Sequence, residues 1–342
     1  MRIIIDISHP AHVNFFKPIT KHLQVQGHEI IISVLRRGKL PAIAQKEFNE
    51  FPLYFIGNHR GTMWSVFFEA NIIKFFKLLF LCNKIRPNIG VSAGSFVLGA
   101  VLKIIRVPNI QFDDDPERKV NVMLEKLTSS KLFFPVFFAN TKRKVQNYNA
   151  LKEWSYLSPK YFISNIKVLN DYRLISKNYI FIREISTGSL NYINQNKNII
   201  ASICHLFSNK IQFVLSLEDK STINQYPSDW IILKEPLEDI HSLIYYSKCL
   251  VSSGDSMARE GAMLGVPSIF CGFRNMKANE VMIDKGMMLK ENPENVAVLL
   301  NNIIDNSLVF EDQNIFRDKL EKEWIDVGTF VTELIVKEVF KI

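Results

Sequence analysis

Short apolar runs and longer amphipathic stretches alternate along almost the whole chain, and that alternation predicts strands and helices in turn. Residues 2–7 (RIIIDI) read as a strand apolar on both faces, as in a covered parallel sheet. Residues 13–26 follow as a helix with Phe15, Phe16, Ile19 and Leu23 on its apolar side; Gly27 ends it, and 29–34 is a second strand. The same reading places strands at 53–56, 89–92, 109–112, 132–138, 179–183, 212–217, 230–233, 249–251 and 267–270. It places helices at 63–84, 96–105, 117–129, 238–246, 257–264, 294–304 and 320–340. Strands alternating with helices argue for parallel α/β sheets. Two such runs are separated near residue 160, where Leu157-Ser158-Pro159-Lys160 marks a hinge. Two α/β domains are therefore expected, 1–160 and 161–342, with ligands at the C-terminal ends of the strands.

With 342 residues, 47% of them hydrophobic and 22% charged, the chain can bury two cores. No signal peptide is read, because the apolar run after Arg2 is too short, and no spanning helix is expected. Cys82, Cys204, Cys249 and Cys271 are scattered in apolar contexts and read as reduced core cysteines, which makes the cytoplasm the expected compartment. The net charge of +8 suits an anionic substrate or an anionic membrane surface; no nucleic-acid motif accompanies it, so nucleic acid is not expected as a partner. The helix at 63–84 is unusually aromatic, with Trp64, Phe67, Phe68, Phe75, Phe76 and Phe80 beside Lys74, Lys77, Lys84 and Arg86. Such a helix either packs as a thick core element or lies in a membrane interface, so peripheral contact at the inner face of the membrane is carried as an expectation.

Chemistry concentrates at the strand ends. Ser252, Ser253, Gly254, Asp255 and Ser256 form a small polar loop between a strand and a helix, where backbone N–H groups can hold a phosphate. Glu260 follows about one turn into the helix. Ser8-His9-Pro10-Ala11-His12 closes the first strand, Ala93-Gly94-Ser95 another, and Thr187-Gly188-Ser189 offers a further small loop. After 109–112 come Asp113, Asp114, Asp115 and Glu117, four acids within five residues. They can supply a base, hold a sugar, bind Mg²⁺ or merely cap the next helix; Asp114 and Glu117 are the choices for catalysis.

Asp6-Ile7-Ser8-His9-Pro10-Ala11-His12 resembles the opening signature of the DUF354 proteins, a GT-B-like family. Residues 252–280 resemble the nucleotide-sugar half of GT-B proteins, above all the N-acetylglucosaminyltransferase that forms lipid II, and are similar to the UDP-GlcNAc 2-epimerases. The resemblance runs from the first strand to Gly286 and is weak between Gly38 and Asn88. It implies a GT-B fold: two Rossmann-like domains with an interdomain cleft, an N-terminal acceptor and catalytic domain, a C-terminal nucleotide-sugar domain, and a last helix that crosses back to the first.

The resemblance also implies roles. Ser253, Gly254, Asp255 and Ser256 would hold the diphosphate, with Arg183 beside it, and Glu260 would take the ribose hydroxyls. Leu237 would meet the base through its backbone. Asn279 and Glu280 stand where the transferase has two amides on the sugar, and the acid at 280 departs from that pattern, which puts the sugar's identity in doubt. His12 stands where the transferase has a His that can take a proton from the acceptor hydroxyl; His9 would be a substrate contact beside it, unless both only cap and pack the helix. The implied function is an inverting glycosyltransferase with a nucleotide-diphosphate sugar, in first place a UDP-sugar, as donor. The acceptor would be a sugar or lipid-linked sugar of a surface polysaccharide or glycolipid, and no metal or cofactor is implied. A hydrolysing 2-epimerase is the alternative, although the His those enzymes carry in the turn at Arg183-Glu184 is missing here. A non-catalytic nucleotide-sugar-binding protein is the third reading.

Overall fold

The structure, a computed structural model, describes residues 1–60, 64–136, 145–186, 195–234 and 239–339, the side chains of 66 and 67 apart. The chain divides into two units: Met1–Tyr156 with Glu323–Ile342, and Leu157–Lys322.

The first unit is built on β1 (Arg2–Ile7), β2 (Glu29–Arg37), β3 (Leu53–His59), β4 (Ile89–Ala93), β5 (Asn109–Phe112), β6 (Lys131–Pro135) and β7 (Val145–Tyr148). They form one sheet in the order β3-β2-β1-β4-β5-β6-β7 with every neighbouring pair parallel. The second unit has β8 (Tyr179–Glu184), β9 (Gln212–Leu217), β10 (Ile231–Ile232), β11 (Cys249–Ser252), β12 (Ser268–Phe270) and β13 (Met288–Lys290), also all parallel, in the order β10-β9-β8-β11-β12-β13. Helices cover both sheets, which is why β1, β4, β8 and β11 are apolar on both faces and almost fully buried.

In each sheet the chain winds outward on one side and then starts again on the other. That reversal falls between β1 and β4 in the first unit and between β8 and β11 in the second. Loops leaving adjacent strands in opposite directions open a crevice at such a point, and ligands of open α/β sheets collect there. The loops after β1 and β4, and those after β8 and β11, are therefore where sites should be sought.

The expected helix at 63–84 is instead a π-helix, Ser65–Ile73, running into an α-helix, Lys74–Ile85. The wider turn changes which residues face inward. Lys74, expected as a basic companion of an exposed helix, is 1% exposed and buried against β1. Trp64, Phe76 and Phe80 are 77%, 63% and 74% exposed, so the segment is not simply a core helix. The expected helix at 320–340 is two helices, Gln313–Glu323 and Val327–Val339. Asp326 separates them by capping the second: its Oδ1 accepts from Thr329 N at 2.9 Å, a bond that a continuous helix has no place for. Val327–Val339 packs on helix Pro10–Val25 within the first unit, and Phe330 lies on the rings of Phe133 and Tyr148. Strands β7 and β13 and helix Leu40–Glu47 were not expected from the sequence pattern. All four cysteines are free and buried.

Candidate functional site

The end of β1 is held by a buried polar cluster. Asp6 is fully buried; its Oδ1 accepts from Ser33 Oγ of β2 at 2.7 Å, and its Oδ2 from Lys74 Nζ and from Ser95 Oγ, each at 2.7 Å. Lys74 also donates to Ser8 Oγ at 3.0 Å. One ion pair thus ties together β2, the loop after β1, the loop after β4 and the helix at 74–85. The loops that carry Ser8 to His12 and Gly94-Ser95 are fixed relative to each other before any ligand arrives.

The two histidines sit differently. His9 is the N-cap of helix Pro10–Val25; its Nδ1 accepts from Ala11 N at 3.2 Å and its ring is exposed. His12 is buried, 5.9 Å from His9 between ring centroids, and its Nδ1 accepts from Ser8 N at 3.4 Å. Burial first, then the charges of Lys152 and His9, hold the His12 imidazole well below its usual pKa, with Asp114 opposing them. His12 is therefore neutral near pH 7.

The acids after β5 separate into distinct environments. Asp113 Oδ1 accepts from Asp114 N at 2.8 Å, Asp115 N at 3.1 Å and Arg118 Nη2 at 3.1 Å. Asp115 Oδ2 lies 3.0 Å from Arg118 Nε, and Asp114 pairs with Lys152 Nζ at 2.8 Å. Glu117 is exposed. The acids do not cap the next helix: Lys119–Thr128 starts after Arg118 without a side-chain cap. Glu125, from that helix, is fully buried against Asp113. With both groups ionised, Asp113 Oδ2 and both Glu125 oxygens lack a donor. A single proton removes the conflict by making Glu125 a donor to Asp113. Burial, then the charge of Asp113, raise the Glu125 pKa well above its usual value; burial also raises Asp113, which Arg118 opposes.

This proton has a consequence for stability. A carboxyl whose folded pKa exceeds its unfolded value holds a proton that the unfolded chain releases, so stability falls as pH rises from the unfolded pKa of Glu towards the folded one. Glu125→Gln supplies the donor permanently. Urea unfolding between about pH 5 and 8 is expected to show wild type losing stability relative to Glu125→Gln as pH rises. Parallel curves would mean that no proton is shared.

In the second unit the loop after β11 is tied on all sides. Ser252 Oγ accepts from Gly254 N at 3.1 Å, Ser253 Oγ accepts from Ile185 N at 3.0 Å, and Gln195 Nε2 donates to Ser253 O at 3.0 Å. A Cβ on Gly254 would lie 2.6 Å from Ile185 Cγ2, so only glycine lets the loop pass β8 this closely. Gly254 is the N-cap of helix Asp255–Met263 and provides no side-chain cap, and Ser256 in the first turn is exposed. The helix therefore starts with backbone N–H groups rather than a capping oxygen, as an anion site requires.

Asp255 departs from the expected phosphate contact. Its carboxylate is fully buried and receives Arg259 Nη1 at 3.1 Å and Arg274 Nη1 at 3.3 Å. Two guanidiniums thus meet on one buried carboxylate at the start of the helix. Arg259 also donates to Asn279 Oδ1 at 2.7 Å, so Asn279 is buried as a support, whereas Glu280 is exposed. Glu260 is 8% exposed, with Oε2 3.3 Å from His241 Nε2, and Phe162 meets the His241 ring edge-on at 6.4 Å. Arg183 is engaged by Ser216 Oγ at 2.8 Å and by Glu218. Leu237 and the Thr187-Gly188-Ser189 loop lie outside the described residues.

Lys74, Arg118, Glu125, Lys152, His241, Arg259 and Arg274 complete these two places and were not singled out from the sequence. Arg259 had a local signal, four residues after Asp255 on one helix face. The others arrive from distant segments. Among the described residues no three His, Cys, Asp or Glu side chains are grouped to hold a metal ion, and no helix is long and apolar enough to cross a membrane.

Comparison with known proteins bears on the fold. A model of the family described as "Protein of unknown function (DUF354)" matches residues 1–340. An uncharacterized protein of Methanocaldococcus jannaschii is 22% identical over 319 residues, covering 88% of this chain and 90% of its own. Two solved structures superpose over the whole length of both chains: UDP-GlcNAc 2-epimerase from Neisseria meningitidis bound to UDP-GlcNAc (TM-score 0.67, 12% identity) and glycosyltransferase VinC in complex with dTDP (TM-score 0.66, 11% identity), each covering 100% of either chain. The two parallel sheets and these likenesses show a GT-B fold.

Proposed function

The chain belongs to the DUF354 family, and on that premise we propose that it is a glycosyltransferase using a nucleotide-diphosphate sugar, with UDP as the nucleotide. The observation that carries the reading is the second unit's loop and helix at 252–263: uncapped N–H groups, Arg259 and Arg274 gathered on Asp255, and Glu260 one turn further on. The helix N-terminus and Arg274 stabilise the diphosphate as it leaves, and Glu260 accepts the ribose hydroxyls. In the first unit Asp114 is the acid partly open to solvent and held beside a cation, Lys152, which makes it the candidate to take the proton of the acceptor hydroxyl as that oxygen bonds to the sugar carbon. A thermal-shift screen of UDP, dTDP and GDP tests the class: UDP should raise the melting temperature most. No shift with any of them would remove nucleotide-sugar chemistry from this fold.

One observation favours a second reading, a hydrolysing 2-epimerase: the buried acids Asp113 and Glu125 after β5, where a proton can be held near a sugar. Incubation with UDP-GlcNAc in deuterated water and no acceptor separates the two. Released sugar carrying deuterium at C2 supports the epimerase; intact donor supports the transferase.

The acceptor is read as lipid-linked. Trp64, Phe76 and Phe80 project from one stretch, with Lys77, Lys84 and Arg86 exposed beside them. Aromatic rings beside lysines suit the interface of an anionic bilayer at the inner face of the membrane. Sedimentation with phosphatidylglycerol vesicles should pull down wild type, and the Trp64→Ser, Phe76→Ser, Phe80→Ser triple variant should partition at least about tenfold less. Equal partitioning would leave the acceptor to be sought among soluble sugars.

A further inference from the structure

Glu260 has a neighbour placed to steer it. Its Oε2 lies 3.3 Å from Nε2 of His241, the second residue of helix Ile240–Tyr245. An ionised carboxylate only accepts hydrogen bonds, so Nε2 carries the hydrogen whether the ring is neutral or protonated. Little water reaches the pair, whose side chains are 17% and 11% exposed, so solvent does not readily replace a lost donor.

Both partners are fastened to one framework. Asp239 caps the helix, its Oδ1 accepting from Ser242 N at 3.0 Å, and Ser242 Oγ accepts from Asn165 N at 2.9 Å. That second bond holds the segment that carries Phe162 against the helix. The Phe162 ring meets the His241 ring edge-on and lies 5.7 Å from the ring of Tyr245, one turn on. The guanidinium of buried Arg317 stands 5.7 Å from the centres of both the Phe162 and the Tyr245 rings. It also donates at 3.3 Å to the carbonyl of Met263, the last residue of the helix that carries Glu260. One guanidinium thus anchors the rings behind His241 and the far end of the helix that presents Glu260. The spacing between imidazole and carboxylate is set by the side chains packed behind them, before any ligand arrives. Packing alone accounts for a ring at 241, but not for a donor nitrogen facing this carboxylate.

We propose that His241 is the positioning residue of a ribose site. Its Nε2–H holds Oε2 of Glu260 and so fixes the plane in which the carboxylate meets the two neighbouring hydroxyls of a nucleoside diphosphate. The inference rests on the nucleotide-sugar reading of the helix at 255–263. An untethered Glu side chain turns among rotamers and takes two hydroxyls together in only some of them; a tethered one presents its oxygens in one orientation. His241 touches no ligand in this role and acts only through Glu260.

Calorimetric titrations of the full-length protein test this with UDP and with a uridine-type diphosphate lacking both ribose hydroxyls. The proteins are wild type, His241→Leu, His241→Gln, Glu260→Gln and the His241→Leu, Glu260→Gln double variant. His241→Leu keeps bulk against Phe162 and removes the donor: UDP should bind about fivefold or more weakly, while the nucleotide without hydroxyls should bind as it does to wild type. His241→Gln, whose amide nitrogen can take the place of Nε2, should restore most of the UDP affinity. In the Glu260→Gln background the loss from His241→Leu should shrink, because both residues act on the same hydroxyls. An unchanged UDP affinity in His241→Leu, an equal loss for both nucleotides, no rescue in His241→Gln, or losses that simply add would each overturn the assignment. UDP binding that weakens in Glu260→Gln but not in His241→Leu sinks this inference alone. A wild type that binds no UDP sinks the nucleotide-sugar reading, and this inference with it.

Discussion

Lys74→Met is expected to destabilise the protein by about 3–5 kcal/mol, the usual cost of removing one partner from a buried ion pair. Lys74 and Asp6 are 1% and 0% exposed, so neither charge can turn to water when the other is lost. The change leaves Asp6 with hydroxyl donors from Ser33, Ser95 and Ser8 and no cation, so its carboxylate must either remain buried and uncompensated or take up a proton. The loops after β1 and β4 lose their common anchor at the same time. Urea unfolding of Lys74→Met, Asp6→Asn and the double variant measures the coupling. The double variant should be more stable than the two single losses added together, because the charge left behind is the main cost. Strict additivity, or a single-variant loss below about 1 kcal/mol, would show that the pair does not hold this region together.

What could be read from the sequence followed from how locally each feature is encoded. The first β-α-β unit was legible because its strand, its helix stripe and Gly27 lie within 34 residues and obey short periods. The loop at 252–256 was legible for the same reason: small polar residues between an apolar strand and a helix mean much the same in any α/β protein. Lys74 was not, because its partner is 68 residues away and the π-turns before it shift the helical phase that would have shown it facing inward. The acids at 113–117 showed in composition, but not which of them lies inside. Asp113 is the one bound by two backbone N–H groups, whereas Glu117, one of the two catalytic candidates of the sequence, is exposed. Asp255 read as a loop polar group and is instead a buried counter-ion, because Arg259 is one turn on and Arg274 comes from another loop. Charge pairing across loops leaves no period in a sequence.

The largest functional effect is expected at Glu260. Its carboxylate is nearly buried at the second turn of helix Asp255–Met263, beside His241, and the proposed role gives it the two ribose hydroxyls as hydrogen-bond donors. Glu260→Gln keeps the shape and the contact with His241 but replaces one strong acceptor with a donor. Each charge-assisted bond lost costs about 1.5–3 kcal/mol, so UDP should bind roughly ten- to a hundredfold more weakly. A nucleotide lacking ribose hydroxyls supplies the control, since it should bind wild type more weakly and lose less on mutation.

The most direct measurement is a calorimetric titration of UDP and of its deoxyribose counterpart into wild type and Glu260→Gln. Tight UDP binding to wild type, weakened at least about tenfold in Glu260→Gln with a smaller change for the deoxy nucleotide, is what a nucleotide-sugar site on this loop and helix predicts. Equal affinity of the two proteins for UDP, or no binding to wild type at all, would contradict it and remove the loop at 252–256 from the site along with Glu260.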